Sequence, residues 1–280
     1  MDKKIALAAA LAASFSGSAL AADLPSKKAP VVAPPALSWT GFYVGANAGG
    51  AWSSNNSGNY QLYGGAPALS LASGAHVGNS YSGFIGGGQV GYNYQLMKSF
   101  VIGAEADIQG IAANSGYAKF SGAAQSGGTT YTTFGTAKGN LQYIGTVRGR
   151  VGYLVTPTLL AYGTAGFAYG GVSTTAIFVT AGNNNGSGGS GSLTYSNTQP
   201  GWTAGGGLEW MFAPNWSAKA EYLYYSLSNA NANATVFDTQ SGSSLWTYGV
   251  SGSRSFNGNI VRAGVNYHFN FASAPVVAKY

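Results

Sequence analysis

From Ser38 onward, apolar and polar residues alternate along the chain with a period of two, the pattern of strands that carry one apolar face. Eight segments show it, at about residues 38–52, 82–97, 100–113, 140–155, 159–172, 202–213, 216–228 and 259–269. In the fourth, Leu141, Tyr143, Val147, Val151 and Tyr153 fall on one face, and Gln142, Thr146, Arg148 and Arg150 on the other. The third sets Phe100, Ile102, Ala104, Ala106 and Ile108 against Glu105, Asp107 and Gln109. The sixth opposes Trp202, Leu208 and Trp210 to Glu209, and the seventh opposes Trp216, Ala218, Ala220, Tyr222 and Tyr224 to Ser217, Lys219 and Glu221. In the eighth, Val261, Val265, Tyr267 and Phe269 stand opposite Arg262 and His268. A charge turned toward lipid costs roughly 2–4 kcal/mol at the bilayer midplane, so this sorting predicts one face against lipid and one against an enclosed interior.

The connections alternate in length. Met97-Lys98-Ser99, Thr156-Pro157-Thr158 and Ala213-Pro214-Asn215 read as tight turns, while Gly/Ser/Asn/Thr-rich stretches fill 53–81, 114–139, 173–201 and 229–258. Short turns on the periplasmic side and long loops outside are the habit of bacterial outer-membrane barrels. The expected fold class is therefore all-β: a closed, antiparallel, up-and-down transmembrane β-barrel of eight strands. The extended pieces 131–134 and 176–180 either prolong strands above the membrane or add a ninth and tenth strand.

The N-terminus supplies the compartment. Asp2, Lys3 and Lys4 precede an apolar run over 5–13, and small residues lead to Ala19-Leu20-Ala21, which together form an export signal with cleavage expected after Ala21. Residues 22–37 hold Pro25, Pro30, Pro34 and Pro35 with Lys27 and Lys28, an extended periplasmic linker. The barrel is expected over 38–270 and a periplasmic tail over 271–280. Charged residues make up 7% of the chain, and no apolar run after the signal is long enough for a membrane helix. Alternating strands in a closed sheet are then the remaining route into a bilayer. The 19 Tyr, 13 Phe and 6 Trp argue against disorder, and the absence of cysteine excludes disulfides and a lipid anchor on cysteine. The formal charge of +6 does not point to nucleic acid, since no Lys/Arg-rich run exists.

The expected inward charges are Glu105, Asp107, Glu209 and Glu221 with Arg148, Arg150, Lys219 and Arg262. An eight-stranded barrel has an interior just wide enough for its own side chains, so the eight read as a paired network that fills the lumen. The competing reading is a charge-selective constriction in an open pore.

The ordered set Ala22-Asp23-Leu24-Pro25, Trp39-Thr40-Gly41-Phe42-Tyr43-Val44-Gly45, Gly83-Phe84-Ile85-Gly86-Gly87-Gly88-Gln89-Val90-Gly91-Tyr92-Asn93, Gly145-Thr146-Val147-Arg148-Gly149-Arg150-Val151-Gly152 and Val261-Arg262-Ala263-Gly264-Val265-Asn266-Tyr267-His268-Phe269 spans nearly the whole chain. It resembles the porin-family outer-membrane β-barrels of Rhizobiales, small barrels of the OmpA/OmpX type that are similar to the major surface proteins of Brucella and, more distantly, to the haem-binding ones of Bartonella. The resemblance implies an outer-membrane location in a Gram-negative cell envelope. The final stretch also resembles a barrel-assembly signal, with Arg262, Gly264, Tyr267 and Phe269 at its polar, glycine and aromatic positions. That implies barrel-assembly machinery and periplasmic chaperones as partners during biogenesis. Here the signal is internal, because the chain runs on to Tyr280, and Ala29-Pro30-Val31-Val32-Ala33 of the linker recurs in the tail as Ala274-Pro275-Val276-Val277-Ala278.

Little in the sequence points to catalysis or a cofactor. Gly86-Gly87-Gly88-Gln89-Val90-Gly91 matches G-x-G-x-x-G but continues as a strand, where a dinucleotide site needs a helix. Two histidines, His76 in a loop and His268 at the opposite end, cannot share a site, and no catalytic triad or metal cluster is spaced along the chain. At the outer surface His76 with Tyr60, Tyr63 and Tyr81 offers axial ligands to haem. Lys119, Lys138 and Arg254, in other loops, are expected to be available to lipopolysaccharide phosphates. Three functions follow: a structural envelope barrel that presents surface loops, a channel for small solutes, and a receptor for haem or another ligand. Oligomeric state is left open.

Overall fold

The computed structural model describes residues 37–54, 57–64, 75–78, 81–126, 128–183, 189–232, 236–238 and 248–269. The expected signal with its cleavage site, the linker up to residue 36 and the tail over 271–280 lie outside the described residues.

Among the described residues there are twelve strands: β1 (Gly41–Ser53), β2 (Ser57–Gly64), β3 (Ala75–Gly78), β4 (Tyr81–Leu96), β5 (Phe100–Ser115), β6 (Ala118–Ser126), β7 (Thr129–Thr156), β8 (Leu159–Gly182), β9 (Gly189–Ala213), β10 (Trp216–Ala232), β11 (Val236–Asp238) and β12 (Tyr248–Phe269). Eight of them form the wall, in the order β1-β4-β5-β7-β8-β9-β10-β12, and β12 returns to β1. That last pairing runs from Phe42↔Phe269 to Ser53↔Gly258, so the sheet has no free edge along the wall. Closure lets every backbone group of the wall pair within the sheet, the condition for spanning hydrocarbon with strands.

The additional strands are upward continuations. β2 pairs with the early part of β12, β6 pairs with β7, and β11 pairs with β9. The segments 131–134 and 176–180 lie inside β7 and β8, which run for 28 and 24 residues, so they prolong the wall and add no strand to it.

Alternation holds through the wall except where an extra residue shifts it. β7 pairs Leu141 with Val172 and then Tyr143 with Gly171, which leaves Gln142 as a bulge. One extra residue reverses the facing of everything beyond it. Leu141 accordingly points inward and is buried, while Gln142 is exposed, the reverse of the sequence expectation. The partner strand breaks at the same level, between β5 and β6, where the Ser115 hydroxyl donates to Asn140 Oδ1. Above the break Ala118 and Phe120 turn inward against Ala137 and Ala176.

Outward rings form two belts. At the turn end Phe42–Tyr92, Phe100–Tyr153, Trp216–Tyr267 and Tyr267–Phe269 pack edge to face at 4.8 to 5.3 Å. At the loop end stand Trp202–Tyr224 and Phe167–Tyr169. On β7 the two belts are marked by Tyr153 and Tyr143, about 25 Å apart along the barrel axis at about 3.3 Å per residue and a strand tilt near 40°. That separation matches the apolar band of an outer-membrane barrel.

Candidate functional site

The wall brings all eight expected inward charges into the lumen, and each is buried. Parity explains the placement. Glu105 and Asp107 follow one another on the inward face of β5, Arg148 and Arg150 on β7, Lys219 and Glu221 on β10, with Glu209 on β9 and Arg262 on β12.

Arg148 is the hub. Its guanidinium reaches Glu105 at 2.5 Å, Asp107 at 2.8 Å and Glu221 at 2.9 Å. Arg262 meets Glu221 at 2.5 Å and Asp107 at 2.9 Å from the other side. Lys219 donates to both oxygens of Glu105 at 2.8 Å. Arg150 pairs with Glu209 at 2.6 Å and lies against the faces of Tyr43 and Tyr162, at 5.5 and 4.3 Å from the ring centroids. Four carboxylates therefore meet four cations, and each of the eight makes at least two side-chain hydrogen bonds, although Arg150 Nε and Arg262 Nη1 stay without one. A buried ion pair persists only with such additional hydrogen bonds.

Several members were not singled out in the sequence. Tyr43 donates to Glu105 at 2.7 Å, and Tyr162 to Glu221 at 3.1 Å. Asn47 donates to Gln89, which donates to Asn266, which donates to Glu209. Strand parity would have found Tyr43, since Phe42 and Val44 on either side face outward. Glycines on neighbouring strands make the room: a Cβ at Gly91 would strike the Tyr43 ring, and one at Gly207 would crowd the Tyr162 hydroxyl at 2.9 Å. The G-x-G-x-x-G match is thus a strand whose Gly91 seats a tyrosine.

Ser217, His268 and Glu209 also meet. The Ser217 hydroxyl donates to Glu209 at 2.6 Å and lies 2.8 Å from His268 Nε2. A nucleophile–base–acid relay has the acid on the far nitrogen of the imidazole. Here the same Glu209 oxygen that accepts the serine hydrogen bond sits 3.4 Å from Nε2, so acid and base both face the hydroxyl.

The polar layer is enclosed above and below. Toward the loop end the inward positions turn apolar: Ala51, Tyr81, Ile85, Leu141, Ile144, Ala168, Val172, Leu223, Tyr225, Leu227, Phe256 and Ile260 form one buried cluster. Toward the turn end Trp39, Val101, Leu154, Leu160, Tyr162 and Met211 form another. Trp39 precedes β1 and is folded across the mouth, its indole N–H donating to the Pro157 carbonyl at 3.1 Å and its ring edge-on to His268. The alternation over residues 38–52 places Trp39 in the first strand, and it signals neither apolar layer.

The positions expected to form an assembly signal divide by face. Arg262 points into the lumen and Gly264 packs against β1, while Tyr267 and Phe269 join the outward belt at the turn end. Of the expected surface groups, Tyr81 is buried in the upper apolar cluster. Tyr60, Tyr63 and His76 lie in β2 and β3 and Arg254 in β12, with side chains outside the described residues. Lys119 and Lys138 lie on the upper wall.

Residues 7–269 match the family model described as outer membrane protein beta-barrel domain. The 31 kDa outer-membrane immunogenic protein of Brucella melitensis biotype 1 is 37% identical over 240 residues, covering 81% of this chain and 89% of that protein. The 22 kDa outer membrane protein of Rhizobium leguminosarum bv. viciae is 30% identical over 246 residues, covering 87% and 83%. Among solved structures, the outer membrane protein OprG from Pseudomonas aeruginosa aligns at a TM-score of 0.38 with 11% identity, covering 82% of this chain and 97% of that one.

Proposed function

This chain belongs to the outer membrane protein β-barrel family, and we propose that it serves there as a sealed barrel that stabilises the envelope and presents its loop-end hairpins at the cell surface. The observation that carries this reading is the layering of the lumen: a balanced ion-pair network lies between two buried apolar clusters. Ions crossing such an interior would have to displace the network and strip their water against Leu223, Phe256 and Ile260. The name of the Brucella relative, an outer-membrane immunogenic protein, is in keeping with surface-presented hairpins.

Planar-bilayer recording of the refolded protein tests the proposal. The expected result is a baseline without stepwise openings at moderate voltage and high salt. Large, long-lived unitary steps from protein with barrel-type gel mobility would replace the sealed barrel with a solute channel.

A further inference from the structure

The upper wall carries a surface that the sealed lumen does not use. The paired irregularities at Gln142 and between β5 and β6 reset the facing of both strands. Above them Tyr117, Lys119, Phe134, Lys138, Ile177 and Val179 all lie on the outward face, and Tyr117, Phe134, Ile177 and Val179 are each more than half exposed. Lys138 holds its ammonium 5.4 Å from the Tyr117 ring centroid. A shallow depression of about 510 Å³ opens beside them, lined among others by Lys119, Ser121, Phe134, Thr136, Ile177 and Val179.

Height and charge select the occupant. Tyr143 marks the loop-end belt on β7, and at about 3.3 Å per residue and a tilt near 40° Lys138, four register steps on across the Gln142 bulge, stands about 10 Å above it, with Thr136 a few ångströms higher. This is beyond hydrocarbon, at the level of the sugars that an outer-leaflet glycolipid carries. Among the described side chains every Asp and Glu faces the lumen, so nothing anionic on this face competes for Lys119 and Lys138. An exposed aromatic ring beside a cation suits a pyranose, whose C–H face packs on the ring while its acidic substituent meets the ammonium.

We propose that the outward face formed by β6, β7 and β8 binds the acidic core saccharide of an outer-leaflet glycolipid. Lys119 and Lys138 pair with its phosphate or carboxylate groups, and Tyr117, Phe134 and Ile177 cover its sugar faces.

The test is titration of the refolded protein in detergent with core-bearing lipopolysaccharide, with lipid A lacking core sugars, and with inorganic phosphate. Three proteins are compared: wild type, the Lys119→Gln/Lys138→Gln pair, and Tyr117→Ser/Phe134→Ser. All the substitutions lie above the membrane band, and unchanged heat-dependent gel mobility checks that the barrel is intact. Core-bearing lipopolysaccharide should bind wild type at least five-fold more tightly than lipid A, and both variants should lose that difference. Equal binding of the two glycolipids by wild type, or a preference for core that survives in both variants, would overturn the proposal. So would saturation of the same site by inorganic phosphate at low millimolar concentration.

Discussion

At the scale of single residues the lumen is organised by how many partners each charge has. Arg148 touches three carboxylates and donates Nε to Thr146 at 2.9 Å. Arg148→Ala leaves those carboxylates against only Arg262, Arg150 and Lys219, with a cost of about 3–5 kcal/mol for a broken buried network. The expected outcome is a marked fall in the temperature at which the compact gel form converts to the unfolded one. Combining Arg148→Ala with Asp107→Asn should cost less than the two single changes added together, because contacting residues couple. Strict additivity would show that Arg148 and Asp107 do not act as a pair. These charges were legible in the sequence because an ionised group inside a strand body reveals its facing by itself. Leu141 was not, since an apolar residue fits either face and the Gln142 bulge has no marker of its own. The upper apolar layer was hidden for a related reason: Tyr222, Leu223, Tyr224 and Tyr225 are apolar on both parities, so alternation disappears where inside and outside are both greasy.

At the scale of elements, the tight turns and the ends of strands offer the sharpest tests. The β4–β5 turn places Met97 and Lys98 at φ of 47° and 66°, in the left-handed region where a Cβ is disfavoured. Asn and Gly adopt it more readily, so Met97→Asn/Lys98→Gly should stabilise the barrel by about 1 kcal/mol. Chemical unfolding in urea measures it, and an unchanged or lowered midpoint would show that the native pair is not strained. Alternation extends the first strand back to Ser38, but β1 begins at Gly41 and the Trp39 side chain is drawn across the mouth by the Pro157 carbonyl and the surrounding apolar groups. Trp39→Ala should cost about 3–5 kcal/mol, the usual range for a buried aromatic, with the resulting cavity opening toward the turn end. At the other end of the barrel sequence, replacing Tyr267 and Phe269 with Ser removes the rings packed edge to face on Trp216 and on each other. If these are the aromatic positions of the assembly signal, that protein should accumulate unassembled in cells while a deletion of 271–280 inserts normally. The opposite pair of results would move the signal into the tail.

At the scale of the whole molecule, the sealed-barrel proposal rests on layers in series, and no single residue would set it. The order of short turns, long loops and eight alternating segments was readable because lipid and lumen impose opposite demands on neighbouring residues. What fills a closed barrel is set by volumes that only the three-dimensional packing supplies. A path through the lumen must pass the upper cluster, the ion-pair layer and the Trp39 cluster in turn. Removing one layer leaves two. Arg148→Ala admits water beside Glu105 and Asp107, but Ile85, Leu223 and Ile260 still close the loop side and Trp39 the turn side. Leu223→Ala/Phe256→Ala thins the upper cluster while the network below remains paired. Each of these variants should therefore conduct little more than wild type in planar bilayers. A protein carrying Trp39→Ala, Arg148→Ala, Leu223→Ala and Phe256→Ala together, recorded at a temperature where its gel mobility is still that of a barrel, should show frequent openings, a response greater than the sum of the parts. If Arg148→Ala alone reaches the conductance of the combined variant, the ion-pair layer is the only gate, and the apolar clusters serve stability without closing the lumen.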